Sequence, residues 1–324
     1  MAMRDTLLAF VAKIHKEQAG KAPSVDEGRR LFKGSITPEL TGPAANVARV
    51  EEVVIPFSEE ERVAARLYAN SREPRLPLIL YYHGGGFVRG DLDVYDPLCR
   101  ALALSSGALI LSVAYRLAPE HPYPAGRDDA YRALEWASLH AVKLGGDPNR
   151  IIIAGDSAGG NLAAVCALLA RNRNGPKLMG QILIYPVLDL TCQSTSMTMR
   201  EGDCCLTRDS LMGDYKLYCS EGEDLTNPEL SPLFAHNLEN LPEAMIITAE
   251  YDTLRDEAEE YAAKLEESGN EVVLIQYDGM IHGFLMMGAL VPEAQKAIDA
   301  IGDHVKRLTQ ETIIKNLLPS GRSG

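Results

Sequence analysis

No uninterrupted apolar run in the 324 residues approaches the roughly 18–20 that a membrane-spanning helix needs, which argues against an integral membrane protein. Basic residues are few and nowhere clustered. Lys and Arg total 32 against 45 Asp and Glu, a net charge of −13, so the basic face required for nucleic-acid binding is missing. No Cys-x-x-Cys occurs, and no His stands at ligand spacing from the six cysteines Cys99, Cys166, Cys192, Cys204, Cys205 and Cys219, so a zinc site is not expected. A chain this long builds a core without staples, and adjacent Cys204 and Cys205 are badly placed to bridge each other, so the cysteines are expected to be thiols. Repeats and low-complexity tracts are also lacking. With 46% apolar and 24% charged residues, the ordinary globular balance excludes a disordered chain, a fibre and a coiled coil. What remains is a sizeable acidic globular protein of about two domains or one large one.

The first 18 residues carry Leu7, Leu8, Val11 and Ile14 on one helical face, with Lys13 and Lys16 interrupting the apolar stretch. This reads as an amphipathic helix rather than a signal peptide, and the expected address is the cytoplasm. Residues 1–45 are expected to form two helices and a Pro/Gly linker, with Ser24 and Glu27 at capping-box spacing before Leu31 and Phe32. Alternating segments at 48–56 and 61–69 predict an antiparallel hairpin. Apolar runs then alternate with helical stretches. Strands are expected at Leu76–Tyr82, Ala108–Ala114, Arg150–Ala154, Gly180–Tyr185, Ala244–Ala249 and Glu271–Tyr277. Helices are expected near 94–106, 125–143, 158–173, 256–268 and 292–308. Unbroken apolar strands alternating with helices predict an α/β protein, with a parallel sheet covered on both faces and ligands at the carboxyl ends of its strands. The stretch 188–235, with one helical run near 207–219, breaks this rhythm and reads as an insertion.

The sharpest motif is Gly155-Asp156-Ser157-Ala158-Gly159, directly after one apolar strand and directly before a helix. G-x-S-x-G in that setting is a nucleophile elbow: a turn too tight for flanking side chains, which thrusts Ser157 out at the positive end of a helix. Upstream, His83-Gly84-Gly85-Gly86 closes another strand. Three glycines let backbone amides approach a reacting carbonyl, to bind its oxyanion beside the amide of Ala158. No Lys follows these glycines, so they are not a phosphate-binding P-loop. His83 is a candidate base, but its position suits a residue that fixes the loop's shape. His282, in the loop after the last strand, is the histidine best placed to be the base, whereas His304 falls in a helix and is expected at the surface. Asp252 lies in the strand-to-helix loop where the triad acid belongs. Glu250 is the alternative, and Asp256 and Glu257 suit the first turn of the following helix.

From about residue 48 onward the chain resembles the hormone-sensitive-lipase-like family of α/β-hydrolase carboxylesterases. The resemblance rests on His83-Gly84-Gly85-Gly86-Phe87, on residues 115–125 (YRLAPEHPYPA), on Gly155-Asp156-Ser157-Ala158-Gly159-Gly160-Asn161 and on Ile281-His282-Gly283-Phe284. Thr253 stands where these relatives usually carry Pro after the acid, a mild departure that leaves the carboxylate in place. The resemblance implies a mostly parallel eight-stranded sheet flanked by helices, and a serine carboxylesterase acting on short- to medium-chain acyl esters with water. The implied triad is Ser157, Asp252 and His282. The implied oxyanion hole is made by the amides of Gly85, Gly86 and Ala158, with His83 and Gly84 as loop support and no metal or organic cofactor. Residues 1–45 and 188–235 would form a helical cap over a catalytic domain made of 46–187 and 236–324, and a homodimer through the last strand is implied as well. An amidase or peptidase, or a non-catalytic small-molecule-binding protein, are the alternatives on the same fold.

Overall fold

Eight strands form one sheet in the order β1-β2-β4-β3-β5-β6-β7-β8. In the computed structural model they are β1 (Arg49–Pro56), β2 (Arg62–Ala69), β3 (Leu76–Tyr82), β4 (Leu109–Val113), β5 (Gly146–Asp156), β6 (Gly180–Ile184), β7 (Glu243–Tyr251) and β8 (Val272–Ile281). The structure describes residues 24–199 and 205–317, side chains as far as 310, together with Leu7 and Ala9. β1 pairs antiparallel with β2, and β2 antiparallel with β4; every later pair is parallel. The chain grows outward from the centre in two directions, β3 to β4 on one side and β5 to β8 on the other. The strand order therefore reverses between β3 and β5, the place where open α/β sheets bind ligands.

The central strands are buried on both faces because alternate residues feed two separate cores. Leu78, Leu80 and Tyr82 of β3, with Ile151 and Ile153 of β5, face a core completed by α4 (Ala125–Leu144), α5 (Ala158–Asn172) and α7 (Arg255–Glu267). Ile79, Tyr81, Ile152 and Ala154 face the opposite core, shared with α3 (Asp96–Ser106) and α8 (Pro292–Leu317). Helix α8 turns Ala294, Ala297, Ile298, Ile301, Val305 and Leu308 inward, the spacing of a single helical face. Of the strands expected to be buried on both faces, the outermost differs. β8 alternates between half-buried and exposed positions, and Leu274 is exposed there. An edge strand has a neighbour on one side only.

Helices α1 (Val25–Ser35) and α2 (Pro38–Thr41) precede the sheet, and the Ser24 side chain caps α1 by accepting from the Glu27 amide. Of the expected N-terminal face, Leu7 is buried, while Leu8, Val11 and Ile14 lie outside the described residues. The insertion carries α6 (Arg208–Tyr218), whose N-cap Thr207 exchanges hydrogen bonds with Ser210 in a capping box. Its roots are tied together beside the sheet. The Asn161 side-chain amide donates to Val187 O at 3.0 Å and Leu230 O at 2.7 Å, and the Leu190 amide donates to Ser231 Oγ at 2.9 Å. Leu211 and Tyr215 join the core that contains Phe87 and Leu188, whereas Leu7, Leu40 and Phe32 belong to the opposite one. Leu31 and Met212 are exposed. The division is not complete, since Val25 of α1 packs against the first of these cores and Cys205 of the insertion against the second.

One further expectation is corrected. His304 lies in α8 but is buried, near Glu243 and Arg307, because its helical face packs inward. Asp256 and Glu257 stand in the first turn of α7 as expected, and Glu257 is fully buried there, its Oε1 accepting from the amides of Leu188 and Asp189. Cys99, Cys166, Cys192 and Cys219 are free thiols, and Cys204 lies outside the described residues.

Candidate active site

β5 ends at Asp156 and α5 begins at Ala158, which leaves one residue to turn the chain. Ser157 adopts φ +55°, ψ −121°, a conformation costly for any residue with a side chain. Three backbone hydrogen bonds hold it there: its amide donates to Ile184 O at 2.8 Å, and its carbonyl accepts from the Val187 and Asn161 amides, each at 3.1 Å. The glycine at 159 is dictated by close approach, since a Cβ would collide with the carbonyl of Tyr82 at the end of β3. The elbow is therefore wedged between β3 and β6, with the free amides of the first turn of α5 around it.

β7 delivers Asp252 and β8 delivers His282 to the same end of the sheet. His282 Nδ1 lies 2.7 Å from Asp252 Oδ2, and His282 Nε2 lies 3.0 Å from Ser157 Oγ. Asp252 is fully buried, and its other oxygen accepts from the Leu254 amide at 2.9 Å. The carboxylate therefore has one oxygen left for the imidazole and takes its Nδ1–H, which leaves a lone pair on Nε2 facing the hydroxyl. Glu250 points elsewhere. Its Oε2 accepts from the Gly279 amide at 2.6 Å, fastening the end of β7 to the last turn of chain in β8 before His282.

The loop after β3 runs against the elbow. Gly84 donates its amide to Asp156 Oδ1 at 2.9 Å, while no hydrogen bond from the amides of Gly85 or Gly86 is found among the described residues. Gly85 (φ +116°) and Gly86 (φ +64°) lie in backbone regions that favour glycine. This division separates a tethered amide from two that remain for a ligand, with the first amide of α5, at Ala158, nearby. His83 sits beneath the loop. It donates from Nδ1 to Gly84 O at 2.8 Å and stacks on Tyr115, whose hydroxyl donates to His83 O at 2.7 Å. It has no described contact with Ser157 or Asp252.

Burial holds the His83 pKa down at about 4, so the ring is neutral near neutral pH. The consequence for stability has a definite sign. In the unfolded chain His83 takes up a proton near its ordinary value of about 6.5, whereas the folded chain does not until about 4. Stability is therefore lost as pH falls through that window, by about 3 kcal/mol at the lower end. Urea unfolding across this range should show a shallower acid decline for His83→Gln than for the parent. Equal slopes would refute the assignment.

Sequence reasoning missed Asp156. Its carboxylate is buried and accepts from the Tyr81 hydroxyl at 2.7 Å, the Tyr95 hydroxyl at 2.9 Å and the Gly84 amide. Burial raises its pKa, and these three donors oppose that rise. Asp156 thus joins the elbow to the glycine loop after β3. The available signal was a charged residue closing an apolar strand, which requires buried partners. Among the described residues no group of three or more His, Cys, Asp or Glu is arranged to hold a metal ion, and no helix is long and apolar enough to cross a membrane.

The sequence model of a family described as alpha/beta hydrolase fold matches residues 79–286. The chain belongs to this α/β-hydrolase family, in its hormone-sensitive-lipase-like branch of carboxylesterases. Carboxylesterase NlhH of Mycobacterium tuberculosis is 41% identical over 254 residues, 77% of this chain and 79% of that protein. The ethyl acetate hydrolase of Pseudomonas putida is 33% identical over 321 residues, 94% of this chain and 100% of that protein. A hyperthermophilic esterase from the archaeon Pyrobaculum calidifontis superimposes with a TM-score of 0.86 at 39% identity, covering 93% of this chain and 98% of that one.

Proposed function

We propose that this carboxylic ester hydrolase works through an acyl-enzyme formed on Ser157. The observation that carries the reading is the continuous relay from Asp252 through His282 to Ser157, set where a helix begins. His282 Nε2 takes the hydroxyl proton as Ser157 Oγ attacks the ester carbonyl. Asp252 keeps the proton on Nδ1 and stabilises the imidazolium. The amides of Gly85, Gly86 and Ala158 bind the oxyanion, at roughly 2.7–4 kcal/mol for a donor of this kind. The leaving alcohol takes the proton from His282, and water repeats the sequence on the acyl-enzyme. None of these steps uses a metal or organic cofactor.

Residues 1–45 and 188–235 act in this reading as a cap over the catalytic domain, and the substrates are esters with short to medium acyl chains. Each methylene buried in a pocket of limited depth is worth about 0.8 kcal/mol, about fourfold, until the pocket is full. A series of p-nitrophenyl esters should therefore show kcat/KM rising with acyl length and then dropping within roughly 2–8 carbons, on the same buried-methylene argument. A flat or steadily rising profile would count against the capped pocket. Faster turnover of matched anilides would replace the ester reading with an amidase.

A homodimer through the open edge of β8 and a cytoplasmic address belong to the same proposal. The unpaired edge invites a partner strand, and free thiols suit a reducing compartment. Light scattering that stays monomeric across a wide concentration range would remove the dimer. Recovery of the native protein from the secreted fraction would remove the address.

A further inference from the structure

A loop with three consecutive glycines cannot hold two amides in a fixed direction by itself, because glycine backbone is the most costly to order. It must be tied from outside. The Gly84–Asp156 bond secures the strand end of the loop, and a turn in which Val88 and Arg89 donate their amides to Gly85 O closes its middle. His83 Nδ1 holds Gly84 O, the Ala118 amide donates to Phe87 O at 3.0 Å, and further ties come from the cap. Arg89 Nη2 donates to both carboxylate oxygens of Asp214 on α6, and the pair is largely withdrawn from solvent, at 27% and 14% side-chain exposure. The same carboxylate lies directly against Gly86, where any Cβ would collide with it. One helical turn later on α6, the Tyr218 ring stacks on Phe87 with centroids 3.9 Å apart and planes 4° from parallel.

We propose that Asp214 and Arg89 are positioning residues for the oxyanion loop: the ion pair seats the cap helix α6 on Gly86 and so fixes the direction of the Gly85 and Gly86 amides. This rests on the reading of those amides as the oxyanion donors. The pair touches neither the relay nor the nucleophile, so its removal leaves Ser157 and His282 in register and loosens only the receptor for developing charge. Such a change affects the transition state more than the bound ester, because the ground-state carbonyl depends less on those amides. Arg89 makes both contacts through the one nitrogen Nη2, so a lysine ammonium, a point charge with three donors, can reproduce part of them whereas a methionine reproduces none.

The test compares Asp214→Ala, Arg89→Met and Arg89→Lys with the parent on p-nitrophenyl butyrate, measuring kcat, KM and melting temperature. It also measures inhibition by a trifluoromethyl ketone, whose adduct with the serine places an oxyanion in the hole. A misplaced donor lowers kcat by about 10- to 100-fold. The expected result is such a loss in Asp214→Ala, with KM changed less than about twofold and ketone affinity falling in parallel with kcat. Arg89→Lys should retain more kcat than Arg89→Met. If Asp214→Ala does not fold, the two Arg89 variants decide the matter. A lowered melting temperature with unchanged kcat would make the pair merely structural, and a loss confined to KM would make it a substrate contact; either overturns the proposal. Parent turnover that survives Ser157→Ala would overturn the reading of the site as well, whereas serine-dependent turnover indifferent to Asp214 and Arg89 overturns this proposal alone.

Discussion

Ser157→Ala should lower kcat on a short acyl ester by about 10⁶-fold, the scale seen when the nucleophile of a serine hydrolase is removed. The hydroxyl makes one described contact, to His282 Nε2, so deleting it costs the fold little. The backbone conformation that makes the elbow costly is the same for Ala as for Ser, and the hydrogen bonds that enforce it, to the Ile184 carbonyl and from the Val187 amide, involve main-chain atoms only. The variant should therefore melt at or slightly above the parent temperature while forming no acyl-enzyme. Purified variant within tenfold of parental turnover would remove Ser157 from the chemistry.

Asp252→Asn is expected to lower kcat by about 10⁴-fold without unfolding the protein. The argument lies in the two oxygens of the side chain. Oδ1 accepts from the Leu254 amide and Oδ2 faces His282 Nδ1, so the site provides two donors for two acceptors. An asparagine offers one acceptor and one donor. Keeping its oxygen toward Leu254 turns the amide nitrogen toward His282, which then must carry its proton on Nε2 and cannot accept one from Ser157. The opposite orientation presses a donor against the Leu254 amide in a fully buried position. Kinetics at pH 7 with a matched melting curve reads both effects, and a loss below tenfold in folded protein would reassign the acid.

Much of this architecture is legible in local sequence because local rules set it. β3 begins and ends where the apolar run Leu76–Tyr82 does, since the pattern of a strand buried on both faces is continuous and ends in glycines. The elbow at Ser157 is legible because strand, turn and helix succeed one another within a few residues. Asp156 is different: its partners Tyr81 and Tyr95 lie 75 and 61 residues away, and no periodicity links a strand-terminal acid to two distant phenols. The tie between Arg89 and Asp214 spans 125 residues and is likewise invisible. His304 shows a related limit. Its helical setting says nothing of which way the face turns until α8 is docked on α3, where a Cβ at Gly302 would collide with Ser105. Long-range side-chain pairing, rather than element type, is what the linear pattern omits.

The single amide group of Asn161 has a consequence for how such a protein can diversify. By holding Val187 and Leu230 together it fixes the two points at which the intervening chain leaves and rejoins the hydrolase body. The span between these points then behaves as a closed loop, and doubling the length of such a loop costs only about 0.6 kcal/mol in chain entropy. The body constrains the loop only at these ends and where α6 meets Gly86, Phe87 and Arg89 through Asp214 and Tyr218. The rest of the span is in this sense a replaceable part: it can be lengthened or shortened without moving Val187 or Leu230, provided α6 still arrives at that loop.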